Sequence, residues 1–119
     1  MEQPSDKIIV QDWVKAHVEE INRAIDLERE DIGIDNFSAL CAGLFKYFNR
    51  DILPSDGSIR VVNTNNTLHV IIKIGDYIVD PTYQQFEVPV SPEDLVEGVL
   101  VGTKEYLQEK YDLEYRISS

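Results

Sequence analysis

Three residues in the middle of this chain carry side chains that together perform nucleophilic chemistry: Cys41, His69 and Asp80. A thiol attacks as the thiolate, an imidazole takes and returns a proton near neutral pH, and a carboxylate fixes the tautomer and orientation of that ring. A nucleophile, a base and an orienting acid are the parts of a catalytic triad. Cys41 is the single cysteine, so it closes no intramolecular disulfide and belongs to no cysteine-rich zinc site. Together with His17, these residues show none of the pair spacings typical of zinc ligands, so no metal is expected, and triad chemistry of this kind needs no cofactor. His17 itself falls in a helical stripe and reads as a partly buried helix residue.

Whether the three meet depends on the elements that carry them. From Ile59 the apolar period changes from 3.6 to 2, giving strands over Ile59–Thr64, Thr67–Ile74 and Tyr77–Asp80. Asn65-Asn66 and Gly75-Asp76 suit two-residue hairpin turns, which need positive φ. A two-residue turn at Gly75-Asp76 pairs 74 with 77, 72 with 79 and 71 with 80. His69, Ile71, Lys73, Ile78 and Asp80 then share one face, with Asp80 the diagonal neighbour of His69 and within reach of its ring. The turn at Asn65-Asn66 pairs Val62 with His69 and Val61 with Val70. Leu68, Val70, Ile72, Ile74, Tyr77 and Val79 make the opposite face almost purely apolar. A helix from Phe37 to Arg50 presents Phe37, Leu40, Cys41, Leu44 and Phe48 on one side and is assigned as the lid over the mixed face. Asn36 or Ser38 is its N-cap, and Cys41 stands in its first or second turn, where unpaired amides favour a thiolate and stabilise an oxyanion.

The remaining segments frame this centre. Asp6 to Glu30 reads as an amphipathic helix with Val10, Trp13, Val14, His17, Ile21, Ala24 and Ile25 on its stripe, capped by Ser5 or Asp6. Gly33 suits the left-handed residue that ends it. Phe86–Val90 reads as a short edge strand between prolines. Ser91-Pro92-Glu93-Asp94 opens a third helix that runs to Tyr111 with Leu95, Val99, Gly102 and Tyr106 inward, and Leu113–Ile117 adds a last strand. The order is α-α-β-β-β-α with flanking strands, an α+β arrangement in a single domain spanning residues 1–119.

Composition narrows the partners. Acids outnumber Lys and Arg 22 to 11, and the net charge of −11 repels phosphate backbones and anionic lipid, so neither nucleic acid nor membrane is an expected partner. The acids gather at the ends, with eight acids against four bases in residues 1–30 and eight against three in residues 87–119. Residues 31–86 hold six and four, so the flanks read as solvated covers over a centre that buries or binds something. No apolar run reaches membrane-spanning length and no basic n-region leads into an apolar stretch, so a cytoplasmic protein is expected, with non-classical secretion as an effector open to it.

The stretch Cys41-Ala-Gly-Leu-Phe, followed 28 residues later by His69-Val-Ile-Ile-Lys-Ile-Gly-Asp-Tyr-Ile-Val-Asp80-Pro-Thr-Tyr-Gln-Gln-Phe, resembles the transglutaminase-like and papain-like cysteine enzyme superfamily, in the style of its small bacterial effector and toxin domains. The resemblance covers residues 36–86, and the segment from His69 to Asp80 is its specific part. It implies a minimal papain-like or transglutaminase-like fold, a helix carrying the cysteine packed on a small antiparallel sheet. It also implies thiol chemistry on amide or acyl carbonyls: peptide hydrolysis, glutamine deamidation or transamidation through an acyl-enzyme on Cys41, with a protein or peptide as substrate. Papain-like proteases place a Gln six residues before the cysteine, where this chain has Asp35; Asn36, five before, is the candidate for oxyanion support. The alternative from another class is a non-catalytic binding, adaptor or immunity-type module that retains the fold.

Overall fold

Apolar residues recurring every three or four positions make the first helix, α1 (Lys7–Ile32), in the computed structural model, which describes residues 6–33 and 37–117. Asp6 caps it by accepting from Ile9 N at 3.0 Å, and Gly33 ends it in the left-handed region at φ 69°. The segment read as one helix from Phe37 to Arg50 is broken: α2 (Phe37–Leu40) and α3 (Ala42–Tyr47) meet at a turn on Cys41, and a 3-10 turn follows at Arg50–Ile52. The capping residues expected for it, Asn36 and Ser38, lie outside the described positions and side chains respectively.

Among the described residues, six strands form one sheet: β1 (Gly57–Thr64), β2 (Thr67–Ile74), β3 (Tyr77–Asp80), β4 (Leu95–Val96), β5 (Val99–Thr103) and β6 (Tyr115–Ile117), in the order β4-β5-β3-β2-β1-β6. Both hairpin registers follow the turn chemistry. Val62 pairs with His69 and Val61 with Val70 across a turn in which Asn65 and Asn66 both have positive φ. Ile74 pairs with Tyr77 and Ile72 with Val79 across Gly75, whose φ is 57°. The ladder between β2 and β3 stops there, one pair short of the expected 71–80 partnership, as the chain leaves the sheet at Pro81; on its other edge Asp80 still pairs with Leu100 of β5.

The long helix expected from Ser91 to Tyr111 does not form. Pro92–Asp94 is a 3-10 turn, β4 and β5 make a hairpin around Glu97 and Gly98 at positive φ, and only α4 (Lys104–Tyr111) is helical. The β-branched residues of Val99-Leu-Val-Gly-Thr103 suit a pleated strand, and β3 offers them a free edge, which overrides the helical spacing of Leu95, Val99 and Gly102. Thr103 caps α4 by accepting from Tyr106 N at 3.1 Å. Phe86–Val90 is likewise no strand, since Tyr83–Phe86 forms a 3-10 turn and Glu87 takes a left-handed conformation.

Two apolar clusters flank the sheet. Val70, Ile72, Ile74, Val79, Val99 and Val101 face α1, α2 and α3, through Val14, Ile21, Leu40, Leu44 and Phe48 among others. Ile71, Ile78 and Leu100 face the other way and are covered by Leu107, Leu113, Tyr115 and the segment containing Tyr83, Phe86 and Val88. The helix pair bearing Cys41 therefore lies on the apolar face, not as a lid on the mixed one. A stripe of Leu40, Leu44 and Phe48 removes most water-exposed hydrocarbon by packing on a face equally apolar. The C-terminal third covers the mixed face, where Gly102 lets α4 approach: a Cβ there would stand 2.9 Å from Leu107 Cδ2. Among the described residues no helix is long and apolar enough to cross a membrane.

Candidate active site

The structure brings Cys41, His69 and Asp80 into one buried group. His69 and Asp80 come from neighbouring strands, and their diagonal relation places His69 Nε2 2.8 Å from Asp80 Oδ2. Their side chains are wholly enclosed, and Cys41 is 3% exposed. Cys41 stands near enough to the imidazole to favour its charged form. Nε2 is held by Asp80, and Nδ1 is buried without a hydrogen bond among the described residues.

The early end of β3 explains how a helix on one face meets a histidine on the other. β2 has β3 beside it only as far as Ile72, so its first residues, including His69, have β1 on one side and, among the described residues, no strand on the other. The junction of α2 and α3 approaches this open margin, and α2 packs against the 3-10 turn Tyr83–Phe86 that follows β3. Cys41 is the residue before the first turn of α3, in a helical conformation at φ −58° and ψ −25°. In the first turn of the six-residue α3, Leu44 N donates to Cys41 O at 3.2 Å, and the helix gives a shorter run of aligned peptides than one continuous helix would.

α1 buttresses this junction. A Cβ on Gly43 would stand 2.4 Å from Ala24 O, so the two helices touch backbone to backbone where only glycine fits. Glu28, buried on α1, receives Lys46 Nζ of α3 at 3.0 Å, and Trp13 Nε1 donates to Ile52 O at 3.0 Å. His17 packs its ring against Trp13, with centroids 5.0 Å apart.

Asp80 is held by more than the imidazole. Tyr115 Oη donates to Oδ2 at 2.7 Å and Thr82 N donates to Oδ1 at 3.1 Å, so the carboxylate is fixed at both oxygens. Phe86 meets the His69 ring edge-on at 4.9 Å and 82°. Burial by itself disfavours the charged ring, but the charge and hydrogen bond of Asp80, helped by Cys41, outweigh it and raise His69 from 6.5 to about 9. Burial, and then the charge of Asp80, push Tyr115 well above its ordinary value, so its hydroxyl stays protonated as a donor. Tyr83 is raised for the same two reasons.

Sequence reasoning did not find Tyr115 or Thr82. Thr82 had a local signal, because Asp-Pro-Thr readily lets the carboxylate accept from the amide two residues on. Tyr115 had none, being 35 residues from Asp80 and brought in by the pairing of β6 with β1. Asn36, the expected oxyanion support, lies outside the described residues. Among the described residues no group of three His, Cys, Asp or Glu is arranged to hold a metal ion. No family model, curated protein or solved structure matches this chain.

Proposed function

We propose that this protein is a thiol-dependent amidase or acyltransferase of minimal papain-like or transglutaminase-like architecture, acting on a protein or peptide amide. The observation that supports it is the enclosed His69–Asp80 pair, 2.8 Å apart, with the buried Cys41 near enough to favour the charged ring. Cys41 passes its proton to His69, and the sulfur attacks the carbonyl carbon, forming a C–S bond as the carbonyl π electrons move to oxygen. Collapse breaks the C–N bond, and the leaving amine takes the proton from His69. Water or a second amine then attacks the thioester, His69 removes its proton, and the sulfur leaves. Asp80 keeps Nε2 occupied throughout, so that Nδ1 faces the sulfur in both steps.

Alkylation by iodoacetamide at pH 6.5 tests this reading. A free thiol with a pKa near 8.5 is only about 1% thiolate there, and after the lower nucleophilicity of an acidic thiolate is allowed for, an ion-paired Cys41 reacts roughly tenfold faster. The expected result is that this excess disappears in His69→Ala. A wild-type rate no faster than that of the urea-unfolded chain counts against it. The 3% exposure of Cys41 favours a second reading, a non-catalytic binding module that retains the fold. Its signature is a thiol labelled only on denaturation, with Cys41→Ser leaving the biological phenotype intact.

A further inference from the structure

A carboxylate oxygen that accepts from two donors holds each of them less strongly than it would hold one, because each donor draws on the same negative charge. Asp80 Oδ2 is shared in this way. His69 Nε2 lies 2.8 Å from it and Tyr115 Oη donates to it at 2.7 Å, with the two rings tilted at 42° and their centroids 6.4 Å apart. Tyr115 and Asp80 are fully buried and His69 is 1% exposed, so neither bond is open to exchange with solvent. β1 and β2 lie between β6 and β3, so it takes a long side chain with a polar tip to reach the carboxylate from the place of Tyr115 opposite Thr64. Packing in the apolar cluster with Val62, Leu107 and Leu113 asks only for the ring, which leaves the hydroxyl to be accounted for.

We infer that Tyr115 is a positioning residue of the site, whose hydroxyl takes a share of Asp80 Oδ2 from the imidazole and so sets how tightly the His69–Asp80 pair holds its proton. Its role in the reaction rests on the thiol reading above: a ring held less tightly hands its proton to the leaving amine instead of keeping it. The hydroxyl also points the positive end of its O–H dipole at the pair, which opposes charge on the ring where burial leaves little screening. Among the described residues, the titratable groups that face the pair are Cys41 at the junction of α2 and α3, Tyr83 on the turn after β3 and Tyr115 on β6. β1 sets Val62 opposite His69, and α4 contributes Leu107 to this face, both apolar. Tyr115 is the member of this group that donates to the oxygen His69 uses.

The test follows the His69 ring by NMR from about pH 6 to about pH 10.5, with His69→Gln identifying its signals. Wild type is compared with Tyr115→Phe, which keeps the ring and removes the donor, and with ring-fluorinated tyrosine at position 115, which makes the hydroxyl a stronger donor. Ile117→Ala trims the same strand two residues away and controls for loosening of β6. The expected result is a titration midpoint about half a pH unit or more higher in Tyr115→Phe, lower with the fluorinated residue, and within about 0.2 of wild type in Ile117→Ala. A Tyr115→Phe midpoint that is unchanged or lower overturns the assignment, as does a fluorinated residue that raises it. Equal movement in Tyr115→Phe and Ile117→Ala also overturns it, since the hydroxyl then only braces the strand. Iodoacetamide labelling of wild type keeps the two readings apart. A Tyr115→Phe ring that stays put, in a protein whose Cys41 keeps its excess rate, leaves the thiol reading standing. A ring that moves as expected, in a protein without that excess, removes the thiol reading and the role in proton return, and keeps the hold of the hydroxyl on the pair.

Discussion

The proton on His69 has a consequence for stability that can be read without knowing a substrate. In the folded protein the ring is raised to about 9 from 6.5, and unfolding returns it to its ordinary value. The folded state therefore holds this proton more tightly. Its contribution is fully present below about pH 6.5, declines as the pH rises towards 9 and is gone above that. At about 1.4 kcal/mol for each pH unit, the window is worth on the order of 3 kcal/mol. Asp80→Asn keeps the shape of the side chain and removes its charge, so that burial, the largest single influence, is opposed only by Cys41. The ring then prefers to be neutral when folded, and the sign reverses: the variant loses stability on acidification through about pH 6.5. Urea unfolding followed by Trp13 fluorescence between roughly pH 5.5 and 10 measures both profiles, and His69→Gln supplies the background from all other groups. An NMR titration of the His69 ring reads the same quantity directly. A wild-type ring that titrates at or below its ordinary value, or an alkaline loss that survives in Asp80→Asn, refutes the reasoning.

Two further substitutions probe the supports of the site. Tyr115→Phe removes a 2.7 Å hydrogen bond to a buried carboxylate and is expected to cost about 1.5–3 kcal/mol in urea unfolding, as for hydrogen bonds to charged groups. A loss below about 0.5 kcal/mol would show that the hydroxyl contributes no more than packing. Gly43→Ala places a Cβ 2.4 Å from Ala24 O, a backbone atom that cannot swing aside, so α3 must shift from α1. The expected cost is about 1–3 kcal/mol, accompanied by slower alkylation of Cys41 because the same helix start carries the thiol. Unchanged stability and labelling in Gly43→Ala would show that the α1–α3 contact does not position Cys41.

What the sequence made legible was set by short-range chemistry. Two-residue turns at Asn65-Asn66 and Gly75-Asp76 leave each hairpin a single register, and that register alone puts His69 and Asp80 on one face. Capping by Asp6 and termination at Gly33 were equally local. Readings failed where two periodicities were both present and tertiary contacts chose between them. Leu95, Val99 and Gly102 are spaced like a helix face, but the open edge of β3 takes Val99–Thr103 as a strand. The stripe from Leu40 to Phe48 was rightly apolar, but a stripe does not say which side of a sheet it covers. Tyr115 was invisible because its environment comes from residues distant in the chain.

Those failures bear on the site itself. Had the cysteine helix covered the mixed face, the thiol would have come down on His69 from above, and β3 could have run on. Because it packs on the apolar face, the thiol and the ring lie on opposite sides of the sheet, and they meet only if the sheet ends between them. Pro81 supplies that ending: it stops β3 at Asp80, leaves the margin of β2 open beside His69 and sends the chain into the turn that carries Thr82, Gln85 and Phe86. The Asp-Pro-Thr step therefore has three effects in as many residues. It delivers the carboxylate, removes the strand that would have separated the thiol from the imidazole, and fixes the carboxylate through the Thr82 amide.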